Sequence, residues 1–286
     1  MAMPADVGVI DTMLGIPDGK REEWYRFMTP QLRDRESREE FEFPAQYMFK
    51  EVPDDPDTDD PVAWVLREMD RFGIEQAMIG TAGEQHRALA EHPNRFFASV
   101  SVDPNRGMDA VRDLRHAVEE LGARSAQLFP AGCHPQVPID DKRLYPIYAT
   151  CVELDIPMFI CVGVPGPRLP MLCQHVELLD EVCWFFPELK IVMRHGAEPW
   201  ADLAVKLMLK WPNLYYSTSA FAPRYYPKAI IDYANTRGAD KVLYAGYFPM
   251  GLSLERIFSE LADVPLRDEV WPKFLRDNAR KVLQLP

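Results

Sequence analysis

Eight short apolar runs, each followed by an amphipathic stretch, constrain this chain more than any other feature. The runs are residues 7–10, 76–79, 96–102, 125–129, 158–162, 190–193, 213–216 and 241–244. Each is too short for a helix and carries the apolar content of a buried strand. Between them, residues 62–72, 84–91, 108–121, 143–154, 172–186, 200–210 and 226–236 repeat their apolar positions with the helical period. Strands alternating with helices pair in parallel, and eight such units close on themselves. The sequence therefore predicts a (β/α)8 TIM barrel as a single domain over residues 1–286. A long insertion follows strand one at 18–60, and two extra C-terminal helices, 252–261 and 268–283, pack on the outside.

Punctuation in the sequence supports that register. Pro157, Pro187 and Pro212 each stand between a helical stretch and the next strand, and proline forces its predecessor out of the α region. Residues 16–60 are several times longer than an ordinary βα connection, so they hold structure of their own or carry a function. Two short helices, 21–28 and 36–41, fit there, and Trp24, Tyr25, Phe27, Phe41, Phe43, Tyr47 and Phe49 lie along the segment. On one reading these aromatics form a lid over the barrel mouth or a subunit contact; on the other they only pack on the barrel. Residues 50–61 read as an exposed acidic loop, with Asp60-Pro61 opening the next helix.

Charge narrows the partners. Lys plus Arg is 32 against 44 for Asp plus Glu, a net charge of −12 with no basic block, which argues against nucleic acid and anionic membrane. A small-molecule substrate is expected, and one local Arg can still hold an anionic one. No run is long and apolar enough to span a bilayer, and the N-terminus lacks a signal-peptide pattern, so a cytoplasmic protein is expected. Cys133, Cys151, Cys161, Cys173 and Cys183 form no Cys-x-x-Cys pair and read as free thiols. Apolar surface within 21–49 points to a homo-oligomer.

Three segments carry a resemblance. Ile10-Asp11-Thr12-Met13-Leu14-Gly15 ends strand one; Arg194-His195-Gly196-Ala197-Glu198-Pro199-Trp200 follows strand six; Tyr244-Ala245-Gly246-Tyr247-Phe248-Pro249-Met250 follows strand eight. The pattern resembles the amidohydrolase-related barrel family that includes aminocarboxymuconate-semialdehyde decarboxylase, over nearly the whole chain. In metal-dependent members the ligands are two histidines after strand one, a histidine ending strand five, a histidine ending strand six and an aspartate ending strand eight. By motif, those positions here hold Met13, Gly15, Cys161, His195 and Tyr247, so the resemblance implies an atypical member with one inherited ligand. Gly15 has no side chain and a thioether suits only soft ions, so no cofactor is expected and a divalent metal is disfavoured. A makeshift site from Asp11, Cys161 and His195 is the weaker reading, because catalytic zinc normally takes three protein ligands.

Alternation along strands sends Asp11, Met13 and Gly15 inward together, with Phe159 and Cys161 on strand five and Ala245 and Tyr247 on strand eight. His195, at a C-terminal strand end, is the candidate for proton transfer; the competing reading is a structural histidine bonding a carbonyl or Asp11. Tyr247 offers a phenol as acid or donor, or simply fills space. Cys161 is a nucleophile only with a lowered pKa, and otherwise a small core residue. Arg194 has the opposite parity to His195 and faces the helix layer unless its stem curls over the rim, where it would hold a carboxylate or phosphate. Arg224, in the loop after strand seven, is a second anion-binding candidate. Glu198 either favours a helix N-terminus or pairs with His195 or Arg194. Gln127 ends strand four and can orient a substrate carbonyl, with Met13 lining the pocket.

Two function classes follow. One is a metal-independent hydrolase or lyase acting on a small carbonyl or carboxylate substrate, an acyl compound or lactone among them, with His195 as general acid or base. Without a Lewis acid an unactivated amide is a poor substrate. The other is a catalytically silent barrel that binds a small molecule or a partner subunit.

Overall fold

The computed structural model describes residues 3–4, 6–19, 24–39, 45–49, 51–54 and 56–286. Its strands are β1 (Val9–Asp11), β2 (Ile74–Ile79), β3 (Phe96–Ser101), β4 (Ser125–Leu128), β5 (Met158–Cys161), β6 (Ile191–Arg194), β7 (Leu214–Ser217) and β8 (Val242–Leu243). They lie side by side in chain order, every pair parallel. The gap between β8 and β1 is bridged just past the strand ends. Thr12 Oγ1 donates to the Tyr244 carbonyl at 2.8 Å, the Gly15 amide to Phe248 at 2.8 Å and the Tyr247 amide to Met13 at 3.2 Å.

The helices are α1 (Arg35–Glu39), α2 (Pro61–Arg71), α3 (Glu84–Glu91), α4 (Met108–Leu121), α5 (Tyr145–Glu153), α6 (Leu179–Phe185), α7 (Ala201–Lys210), α8 (Lys228–Ala234), α9 (Leu254–Leu261) and α10 (Asn278–Leu283). Local chemistry sets their ends. Asp60 Oδ1 accepts from the Ala63 amide at 3.1 Å and Pro61 takes the first helical position, so α2 starts as its sequence indicates. Helix α4 buries Ala110, Val111, Leu114 and Ala117 and stops at Gly122, whose φ of 65° is left-handed. The helix expected over 172–186 is broken. His175 is extended and its Nδ1 accepts from the Glu177 amide at 3.2 Å, leaving two 3-10 turns, Leu172–Gln174 and Val176–Leu178, before α6.

The barrel has a closed floor. Ile10, Met78, Phe97, Phe159, Val192, Tyr215 and Leu243 fill its interior, and Ala279, Val282 and Leu283 pack into the same cluster. The expectation of two external C-terminal helices is therefore corrected for the second: α10 plugs the N-terminal end of the barrel. Its apolar stripe finds that opening because the short strand β8 leaves Val242 and Ala239 carbonyls for Asn278, which donates to both at 2.8 Å.

The long insertion sits on the opposite end. A 3-10 helix at Arg26–Gln31 and then α1 take the place of the helices expected at 21–28 and 36–41. Residues 20–23 and 40–44, with Phe41 and Phe43, lie outside the described residues. Met28 and Leu32 bury against Ala131, Leu169 and Cys173, from the loops after β4 and β5. Tyr47 Oη donates to the Gly166 carbonyl at 2.8 Å, and Phe49 stacks on Tyr247 with ring centroids 5.7 Å apart. Phe27, Tyr47 and Met48 stay exposed. Among the described residues no helix is long and apolar enough to cross a membrane.

Candidate functional site

Arg194 is the centre of the barrel mouth. Val192 belongs to the interior cluster, so Arg194, two residues on along β6, points inward as well. This corrects the expectation that it faces the helix layer. Its side chain is buried at 5 % exposure. Nη1 donates to Gln127 Oε1 at 2.6 Å, Nη2 contacts Met13 Sδ, and Nε has no partner among the described residues. Gln127 is itself held by Ser101, donating from Nε2 to Oγ at 3.0 Å. The amide expected to orient a substrate carbonyl thus aims the guanidinium. Ser101 escaped the sequence reading, although Ser99 and Ser101 already marked a polar inner face on β3.

No carboxylate touches Arg194 among the described residues. Its electrostatic neighbours are the Cys161 thiol and the Tyr247 phenol, and burial lowers its pKa from the usual arginine range. Both neighbours are neutral at physiological pH. Burial pushes the Cys161 thiol up to about 11 in spite of Arg194, so the thiolate a nucleophile needs is not populated. Burial likewise holds the Tyr247 phenol up at about 12.

His195 follows with left-handed backbone, φ 64°, at the point where β6 turns away. Its amide donates to Ser219 Oγ at 3.1 Å and its Nδ1 lies 3.3 Å from the same oxygen. Burial, and then the charge of Arg194, bring its pKa down to about 3. Both effects favour the neutral ring over an imidazolium near pH 7. Tyr247 packs edge-on against it with centroids 5.7 Å apart. Ala197, Ala220 and Tyr247 share the positive φ of His195, which concentrates costly non-glycine backbone at this end of the barrel. Ser217 follows the interior residue Tyr215 on β7 with the same parity, and its buried Oγ has no partner among the described residues.

The other predicted residues fall elsewhere. Asp11 does not point into the barrel, because Ile10 takes the interior place and β1 shifts register between Val9 and Ile10. Its Oδ1 accepts from the Met13 and Gly246 amides at 2.9 Å each, fastening the end of β1 to the end of β8. Oδ2 is buried without a partner among the described residues, and burial raises the carboxyl to about 7. A Cβ on Gly246 would lie 2.6 Å from that oxygen, so position 246 has to be glycine while Asp11 holds the seam. Arg224 is taken up by an ion pair with Glu260 on α9 at 2.6 Å. Glu198 is exposed and pairs with neither His195 nor Arg194; its carbonyl accepts from the Val164 amide at 2.9 Å.

The residues present do not fit a divalent metal. Met13 is occupied by Arg194, and Met250 Sδ fills the space a side chain at Gly15 would need, 2.5 Å from a Cβ there. Cys161 stands in place of a histidine and Tyr247 in place of the aspartate that the resemblance implies. A fixed guanidinium among these groups repels a second cation. Among the described residues no three His, Cys, Asp or Glu side chains converge as a metal site, so Asp11, Cys161 and His195 are not brought together.

The family model described as Amidohydrolase matches residues 23–285. No curated protein matches the chain. Among solved structures, an uncharacterised TIM-barrel protein of Bordetella bronchiseptica is similar at 23% identity with a TM-score of 0.74, covering 98% of this chain and 99% of that one. A 5-carboxyvanillate decarboxylase of Novosphingobium aromaticivorans, complexed with manganese and 4-hydroxy-3-methoxy-5-nitrobenzoic acid, is similar at 16% identity with a TM-score of 0.67, covering 98% and 97%. The 4-oxalomesaconate hydratase of Rhodopseudomonas palustris is similar at 17% identity with a TM-score of 0.63, covering 97% and 96%. At these identities the likeness is one of fold, and it agrees with the parallel eight-stranded sheet. With the family match spanning residues 23–285, the chain belongs to the amidohydrolase family.

Proposed function

We propose that this protein is a metal-independent hydrolase or lyase whose substrate is a small carbonyl compound bearing a carboxylate. One observation carries the reading: a buried guanidinium at the catalytic end of the barrel has no carboxylate partner among the described residues. Burying an unpaired charge costs several kcal/mol, roughly, and arginine cannot shed its proton to escape that cost. A substrate carboxylate supplies the missing counter-charge and accepts from the N–H groups that Gln127 leaves unused. The carboxylated substrate named for the similar decarboxylase supports the same chemistry.

Arg194 then holds and polarises an anionic oxygen, while His195 and Tyr247 form the adjoining wall. A guanidinium generates no hydroxide, unlike a catalytic metal, so the accessible reactions are those with a good leaving group or cleavage beside a carbonyl. The test is turnover by chelator-treated protein of a panel of aromatic and unsaturated carboxylic acids and of lactones, followed by mass spectrometry. We expect conversion of at least one compound that added manganese does not accelerate and that Arg194→Met abolishes. Conversion only with manganese, or undiminished in the variant, overturns the proposal; binding without conversion across the panel favours a silent small-molecule barrel.

A further inference from the structure

We infer that Ser219 is a positioning residue: its hydroxyl donates to His195 Nδ1, places the ring proton on Nε2 and presents His195 to the mouth as a hydrogen-bond donor. The inference takes its catalytic meaning from the proposed function, but its structural content stands on a count of protons. The hydroxyl of Ser219 has one proton and two lone pairs. It already accepts from the His195 amide at 3.1 Å. Ser219 is fully buried, and among the described residues His195 Nδ1, at 3.3 Å, is the one other polar atom its oxygen meets. If Nδ1 carried the ring proton, Oγ would accept twice and its own proton would be buried with nothing to bond. A buried donor left unpaired keeps its full desolvation cost, which donation to Nδ1 relieves. The tautomer that pairs both the Ser219 hydroxyl proton and Nδ1 has the ring proton on Nε2.

His195 and Ala220 both have left-handed backbone, φ 64° and φ 69°, at the β6 and β7 ends where residues 195 and 219 meet. His195 remains partly exposed at the mouth. Its Nε2–H can thus meet an oxygen in the mouth, next to the charge of Arg194. The low pKa of the ring, about 3, agrees with a neutral donor throughout the physiological range. In this arrangement His195 stabilises negative charge that develops on a substrate oxygen and does not remove a proton from water.

The test is long-range proton–nitrogen correlation at neutral pH on ligand-free protein labelled with 15N-histidine, with His195 assigned by its loss in His195→Gln. The expected result is a bare Nδ1 and a protonated Nε2 in the wild type, the same pattern in Ser219→Thr, and a mixed or inverted pattern in Ser219→Ala. A protonated Nδ1 in the wild type overturns the inference, and so does an unchanged pattern in Ser219→Ala. Should Ser219→Ala not fold, the wild-type tautomer decides alone. No substrate or anion enters this experiment, so its failure is separable from failure of the proposed function.

Discussion

The two ends of the barrel interior are built on opposite terms, and one strand shows both. Val192 of β6 sits in a floor of Ile10, Met78, Phe97, Phe159, Tyr215 and Leu243, sealed by α10. Arg194, two residues on, sits in a mouth of neutral polar groups with its Nε unpartnered among the described residues. The floor buries apolar surface and leaves nothing for a ligand to add. The mouth keeps a charge and a concentration of left-handed backbone that stability alone would remove, as expected where binding groups must be held ready. Stability and function are thus separable along a few residues of one strand, and substitutions can break that separation.

The largest effect is expected in the floor. Phe159→Ala removes a fully buried ring and should cost about 3–5 kcal/mol, read by urea unfolding, while the folded fraction still binds anions normally. Loss of anion binding in that variant would mean the two ends are not independent.

The seam between the ends should show in pH dependence. Asp11 titrates at about 7 in the folded protein against an ordinary 3.8, so the folded state keeps a proton that the unfolded chain releases. The contribution of Asp11 to stability is then greatest below about pH 4, falls by about 1.4 kcal/mol per pH unit as pH rises toward 7, and is level above. Asp11→Asn keeps an oxygen for the Met13 and Gly246 amides and carries no charge. It should lose that decline and be the more stable protein at pH 8; unfolding curves at pH 5 and pH 8 decide, and an unaltered slope would assign the titration to another group.

The smallest effect is expected at Arg224. Its partner Glu260 is also held by Arg256 at 3.0 Å, so Arg224→Ala leaves no carboxylate stranded. Melting temperature and anion binding should both stay close to wild type. A weakened anion response would return Arg224 to the mouth.

The barrel was legible because strand and helix periods repeat through the chain, and the inward set at Phe159 and Cys161 followed from alternation alone. Alternation failed where backbone leaves the extended region. At His195 a left-handed residue resets the count, so Arg194 was sent outward by a rule that holds only inside a strand. At Asp11 the strand ends and the register shifts, which turned a seam residue into an apparent pocket residue. The pairing of Arg224 with Glu260 joins residues far apart in sequence and leaves no local mark. That His195, Tyr247, Gln127 and Arg194 share one end was readable from their strand-end positions. What each does there depends on Ser101 and Ser219, whose hydroxyls fit no motif.

On the proposed reading Arg194, which has no carboxylate partner among the described residues, waits for an anion. Calorimetric titration of benzoate into wild type and Arg194→Met tests this directly, with unfolding of both proteins followed alongside. Saturable binding of one benzoate per chain is expected in the wild type, with about 2.7 kcal/mol of added stability at a hundredfold excess over Kd. Arg194→Met should not bind and should be at least as stable as ligand-free wild type, because it discards an uncompensated buried charge. Equal binding by the variant, or its marked destabilisation, would show that Arg194 already has its partner within the fold.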